Sequence, residues 1–219
     1  ISLLHSFEYE EAEKAFVQVI DADPDCAMAY WGVAMSITHS LWFQANINYL
    51  EKGSKLLELA RNLPAGEREK DYLEAIAAYY KNYNTVDQKT RALLYEEKME
   101  ALYKKYDDDK EAAIFYALAL RAAADSSDKN YTKQKKSGAI LEELFVEQPN
   151  HPGIAHYIIH NYDYPELAQL ALPTARRYAS IAPASSHAQH MPSHIFTRLG
   201  LWEESISSNL NSASSARCY

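Results

Sequence analysis

The amino-acid sequence predicts an all-α protein of about eleven helices joined by short connections. Three observations lead to this prediction. Apolar residues recur at helical spacing along most of the chain, and no segment alternates apolar and polar residues over a convincing length. The 219 residues include six glycines, so tight turns and strand hairpins are expected to be few. Prolines at positions 24, 64, 149 and 183 mark expected helix boundaries.

The first half of the chain contains five of the expected helices. In the first of them, Ala12, Phe16 and Ile20 share one face, and Asp23-Pro24 ends the helix because the residue before proline is biased away from the helical region. These five helices are expected over residues 9–22, 26–38, 46–61, 66–83 and 87–105.

The second half begins with a run of three acids, Asp107 to Asp109, where a helix dipole favours them and where an N-cap is expected. Asn150-His151-Pro152 is typical of a cap followed by proline in the first helical turn. The remaining helices are expected over about 110–124, 132–147, 153–161, 166–181, 192–199 and 203–216.

Two spacings indicate a repeat architecture. Ala12, Phe16 and Pro24 follow the A-x3-F…P pattern of the tetratricopeptide repeat, and the 34 residues from Pro149 to Pro183 equal the length of one such repeat. The chain therefore resembles tetratricopeptide-repeat proteins. More narrowly, it resembles a group of bacterial repeat proteins without an established activity, through stretches such as FEYEEAEKAF, DPDCAMAYWGVAMS, EAAIFYALAL, HPGIAHYIIHNYDYP and HMPSHIFTRLGLWEES.

The resemblance implies a right-handed α-solenoid of antiparallel helix pairs, with the first helix of each pair lining a concave groove. We expect residues 1–219 to form a single domain of this kind. We also expect the chain to be part of a longer one, continuing before Ile1 and beyond Tyr219. Ile1, Leu3 and Leu4 open it with an apolar strip, whereas repeat arrays need end units with a polar outer face.

Composition and sequence patterns argue against several classes of function. The formal net charge of −8 and the shortness of the basic clusters disfavour nucleic-acid binding. No apolar run reaches the length of about 18 residues that a membrane span needs. Cys26 and Cys218 are far apart, so no disulfide framework is expected. No complete catalytic motif occurs, and we assign no catalytic residue. Neither the compartment nor the oligomeric state is predicted.

The leading functional hypothesis is a binding or scaffold module that holds a peptide or protein partner in its groove, without a cofactor. Aromatic rings and imidazoles on the expected inner helices would provide the contacts. The candidate groove residues are Tyr30, Trp31, Tyr116, Tyr157, His156 and His160.

The alternative hypothesis is a metal-binding protein or metal-dependent enzyme. His156 and His160 are four residues apart and so point within about 40° of each other on a helix, which suits two ligands of one zinc or copper ion. His190 and His194 are expected to complete this set, with Asp163 orienting a ligand. We expect a loop to carry residues 187–190, before a helix that begins near position 192. Without metal, these histidines would bond to tyrosines and backbone at repeat junctions.

Overall fold

The computed structural model of the protein describes residues 1–215, which are 72% helical and contain no strand. The prediction of an all-α fold is confirmed. Residue 216, at the expected end of the last helix, and Cys218 lie outside the described residues. The helices are α1 Ser2–His5, α2 Tyr9–Ala22, α3 Ala27–Ile37, α4 Ile47–Ala60, α5 Glu67–Tyr80, α6 Gln88–Lys105, α7 Lys110–Ala122, α8 Thr132–Glu147, α9 Pro152–Tyr162, α10 Ala168–Ile181, α11 Ser186–His190, α12 Pro192–Arg198 and α13 Trp202–Ser215.

Contacts between residues group the chain into two compact units. The first unit contains Tyr9–Asp125, and in it each helix from α2 to α7 packs against the next. The second unit contains Leu4–Glu8 and residues 126–215. In the second unit α8, α9 and α10 pack in succession, and α13 packs against α11 and α12. Grouping by contacts does not test whether residues 1–219 form a single domain, so that expectation stays a prediction.

The helix starts confirm the cap predictions. The Asp109 side chain accepts a hydrogen bond of 3.1 Å from the Ala112 amide at the start of α7. His151 is the N-cap of α9, where its ring accepts from the Ile154 amide at 3.3 Å, and Pro152 occupies the first turn. Each cap satisfies an amide that has no partner within the helix, so these positions determine where α7 and α9 begin.

The region before Pro192 differs from the expected loop. Residues Ser186–His190 form the short helix α11, capped by the Ser185 hydroxyl, which accepts from the Ala188 amide at 3.2 Å. A proline disrupts a helix that continues through it, but it is tolerated in the first turn of a new one. Here Met191 separates α11 from α12, and Pro192 begins α12. His187 and His190 are therefore held on a helix instead of a loop.

Glycines allow aromatic rings of neighbouring helices to approach closely in the first unit. Gly53 on α4 faces Tyr80 on α5, and a Cβ atom at position 53 would lie 2.2 Å from the Tyr80 ring. Tyr80 is buried, and its hydroxyl donates a 2.7 Å hydrogen bond to the Ala34 carbonyl. The ring therefore has little freedom to move away.

We expect Gly53→Ala to lower the free energy of unfolding by about 2 kcal/mol, measured by urea denaturation. Overpacking a core typically costs 1–3 kcal/mol, and the close contact with a held ring puts this site at the upper end, so a gain of about 1 kcal/mol in helix propensity leaves a net loss of about 2 kcal/mol. Gly66→Ala is the control for an added Cβ without a clash, because a Cβ at Gly66 meets only the Glu69 carboxylate, at 3.4 Å, and the loss of the glycine N-cap of α5 costs about 1 kcal/mol at most. A Gly53 variant as stable as the control variant would contradict this account of α4–α5 packing.

Candidate metal centre

Two histidines on α9 provide the first part of the candidate site. His156 and His160 lie one turn apart, as their spacing predicts, and their Nε2 atoms are 3.0 Å apart. Gly153, three residues before His156, leaves room for His5 at the end of α1, since a Cβ atom there would lie 2.5 Å from the His5 ring. The amino-terminal segment of the second unit can therefore lie directly against α9.

The other ring nitrogen of His156 is held by the backbone. Its Nδ1 lies 2.7 Å from the carbonyl oxygen of His5. A carbonyl can only accept a hydrogen bond, so Nδ1 carries the proton and Nε2 of the neutral ring keeps a lone pair. Metal-binding histidines are usually oriented in this way, by a carbonyl or carboxylate on the nitrogen that does not bind the metal.

The third histidine comes from α11. The Nε2 atom of His187 lies 2.9 Å from that of His156, and donor atoms of His156, His160 and His187 all lie within 4.8 Å of one another. We call these three residues the histidine triad. Their nitrogens converge on one region, as the ligands of a single metal ion do.

Aromatic rings surround the buried member of the triad. His156 is fully buried and stacks on Tyr178 of α10 at a centroid distance of 5.4 Å. Phe7 contacts it edge to face at 4.3 Å, and the same ring stacks near His160 and His187 at 5.5 and 5.7 Å. These rings remove water from one side of the triad.

This environment keeps two of the imidazoles neutral. Burial, together with the neighbouring His187, lowers the pKa of His156 well below its ordinary range, although the bond to the His5 carbonyl opposes the shift. Burial, with repulsion from His190 and His194, lowers the pKa of His187 to about 4. An imidazole must be neutral to bind a metal, so both rings are in the required state at neutral pH.

Two further histidines form what we call the histidine pair. The Nε2 atoms of His190 on α11 and His194 on α12 are 3.0 Å apart. Nδ1 of His194 lies 2.9 Å from an oxygen of Asp163, and the other Asp163 oxygen accepts from Arg198 at 2.9 Å. Burial alone would raise the pKa of Asp163, but the bonds from His194 and Arg198 lower it, so the carboxyl group is ionised.

The donor atoms group differently from the predicted metal set, which itself stays a prediction. His156 and His160 lie together as expected, and Asp163 orients His194 as expected. The third member of their set is His187, whereas His190 and His194 form a separate pair. His187 is absent from the predicted set, although it lies three and seven residues before His190 and His194. That spacing relates His187 to the pair, and nothing in the local sequence relates it to His156 and His160.

The candidate groove aromatics lie mainly in the interior. Trp31 is 1% exposed and packs edge to face against Tyr72 and Phe115, and Tyr116 is fully buried. Tyr157 is also buried, with its hydroxyl 3.0 Å from Nδ1 of His5. The partly exposed Tyr30 donates to the Pro24 carbonyl at 3.0 Å. A ligand would have to displace core packing to reach the buried rings.

Comparison with known proteins identifies no family, because no family model and no curated protein matches the chain. Among residues 1–215, no helix combines the length and the apolar character that crossing a bilayer requires.

Proposed function

We propose that this protein binds a transition-metal ion at the histidine triad, with zinc as the first choice and copper as the alternative. The observation that carries the proposal is the convergence of three imidazole nitrogens, one of them oriented by the His5 carbonyl. Imidazole is a preferred ligand of both metals. Three protein ligands with a fourth position open are typical of catalytic zinc sites. The more specific form of the proposal is therefore that the protein is a metal-dependent enzyme.

The nitrogen–nitrogen distances support this proposal. Two imidazole nitrogens on one tetrahedral zinc ion, each bound at 2.0–2.1 Å, are roughly 3.3 Å apart. The Nε2 atoms of His160 and His187 lie 3.0 and 2.9 Å from that of His156. Small side-chain rotations would therefore make room for the ion. Without it, both neighbours compete for the single lone pair of His156.

Metal analysis of the purified protein tests the proposal. Protein stripped with a chelator and dialysed against zinc is expected to retain metal at the triad. His160→Ala and His187→Ala should each weaken the affinity of that ion by at least 100-fold. Loss of an outer-shell partner already costs about 10- to 100-fold, and these residues would bind the ion directly.

His39→Asn is the matched control, because it removes an exposed histidine of the first unit. Asparagine tolerates the positive φ of 54° at that position. The control variant should retain as much zinc as the wild type. Failure of the wild type to retain zinc or copper would overturn the proposal, and so would full retention in both triad variants.

Peptide binding is the second candidate function, in a right-handed solenoid of antiparallel helix pairs. The packing of each helix against the next in the first unit supports such an array. An open cleft of about 690 Å³, lined by residues of α4, α5 and α6 and by the segment 81–84, favours a ligand site there. Its lining includes Glu58, Arg61, Glu74 and Lys98, which offer charges of both signs to a peptide. Trp31 and Tyr116 are buried and do not line this cleft.

A further inference from the structure

We infer that His190 and His194 hold a second divalent transition-metal ion beside the triad, so that the protein carries a two-metal centre. This inference rests on the proposed function for the ion at the triad, but it uses different residues. The argument depends on which nitrogen of each ring carries a proton.

The tautomer of His190 follows from Asn209. The Asn209 amide nitrogen donates to the Ser205 carbonyl at 2.9 Å, which fixes the orientation of the amide. Its oxygen therefore faces Nδ1 of His190, at 2.7 Å. An amide oxygen only accepts hydrogen bonds, so Nδ1 of His190 is the protonated nitrogen and Nε2 holds a lone pair.

The tautomer of His194 follows in the same way from Asp163. The ionised carboxylate accepts from Nδ1 of His194 at 2.9 Å and from Arg198 through its other oxygen. Nδ1 of His194 is therefore protonated as well. In zinc sites, a carboxylate commonly accepts from the histidine nitrogen that does not bind the metal and so orients the ring.

The Nε2 atoms of the two rings, each opposite a protonated Nδ1, consequently face each other at 3.0 Å. This contact is repulsive unless a cation lies between the nitrogens, either an additional proton or a metal ion. The separation is close to the roughly 3.3 Å between two imidazole nitrogens on one zinc ion. Both rings are partly exposed, so an ion from solution can reach them.

The pair lies next to the triad within the second unit. The ring centroids of His187 and His190 are 6.4 Å apart, as are those of His160 and His194. Within residues 1–215, no third His, Cys, Asp or Glu donor completes a set with the pair. The second ion would therefore keep positions open for water or for an oxygen ligand shared with the first ion, as two-metal centres do.

Zinc stoichiometry separates this inference from the proposed function. Chelator-stripped wild-type protein, titrated with zinc and then freed of excess metal, is expected to hold two equivalents. His190→Gln and His194→Gln should each hold one, and retention of the triad ion shows that the variant is folded. His160→Ala should also hold one, and the combination of His160→Ala with His190→Gln should hold none.

Three results would overturn the inference. One equivalent in the wild type, lost in His160→Ala but kept in His190→Gln, would leave the proposed function standing and show that the pair shares a proton instead. One equivalent in the wild type that is lost both in His160→Ala and in His190→Gln would indicate a single site that uses the triad and the pair together. Retention of neither zinc nor copper by the wild type would remove the proposed function and this inference together.

Discussion

Replacing His156 with alanine is expected to lower the free energy of unfolding of the metal-free protein by at least about 3 kcal/mol. The ring is fully buried between Phe7 and Tyr178, so its removal leaves a cavity. It also leaves the His5 carbonyl without its donor. An unsatisfied buried polar group alone costs about 1–3 kcal/mol. Urea denaturation in the presence of a chelator measures the loss.

His156→Asn separates the structural part of this residue from metal binding. The side-chain nitrogen of asparagine is as many bonds from Cα as Nδ1 of histidine, so it can donate to the His5 carbonyl. It provides no second nitrogen for the triad. We expect this variant to recover much of the stability and to bind no metal at the triad. An alanine variant that loses less than about 1 kcal/mol would contradict the role given to the buried hydrogen bond.

Acidification is expected to destabilise the metal-free protein as the pH falls from 6.5 to 4. The pKa of His187 is lowered to about 4 in the folded state, whereas an unfolded histidine titrates near 6.5. The unfolded chain therefore binds protons first as the pH falls. The stability from this group is fully present above pH 6.5 and is lost as the pH falls toward 4. The difference in pKa corresponds to as much as about 3 kcal/mol.

His187→Gln provides the control for this pH dependence. Carboxylates with lowered pKa values, such as Asp71 and Asp87, also make the protein less stable in acid, so the wild-type profile alone does not isolate the histidine. The variant keeps those carboxylates and lacks the imidazole. Its unfolding free energy should fall less steeply with pH, with the difference concentrated between pH 6.5 and 4. Parallel profiles for the two proteins would show that His187 is not held neutral by the fold.

The helices and several of their boundaries could be predicted from local sequence. Asp109 and His151 cap helices where their residue types and the neighbouring proline indicated. The approach of His156 and His160 was also predictable, because both lie on one helix and the helical repeat relates residues four apart. In these cases residues close in the chain determine the geometry.

Burial of the aromatic residues was not predictable in the same way. Trp31 and Tyr116 each belong to a helix whose apolar residues recur at helical spacing. That spacing puts each ring on an apolar face but does not say whether the face meets solvent or another helix. In the structure both rings lie in the interior of the first unit. The difference arises from packing against partners distant in sequence, such as Phe115 against Trp31.

The histidine centre combines both kinds of information. Local spacing was enough to bring His156 and His160 together on α9. Tertiary packing added His187, 31 residues beyond His156, and the His5 carbonyl, 151 residues before it. Helical geometry relates residues within a few turns, whereas contacts between separate helices depend on how side chains of both fill the space between them. The membership of the triad was therefore decided by tertiary packing, in which α10 and α12 each contact both α9 and α11.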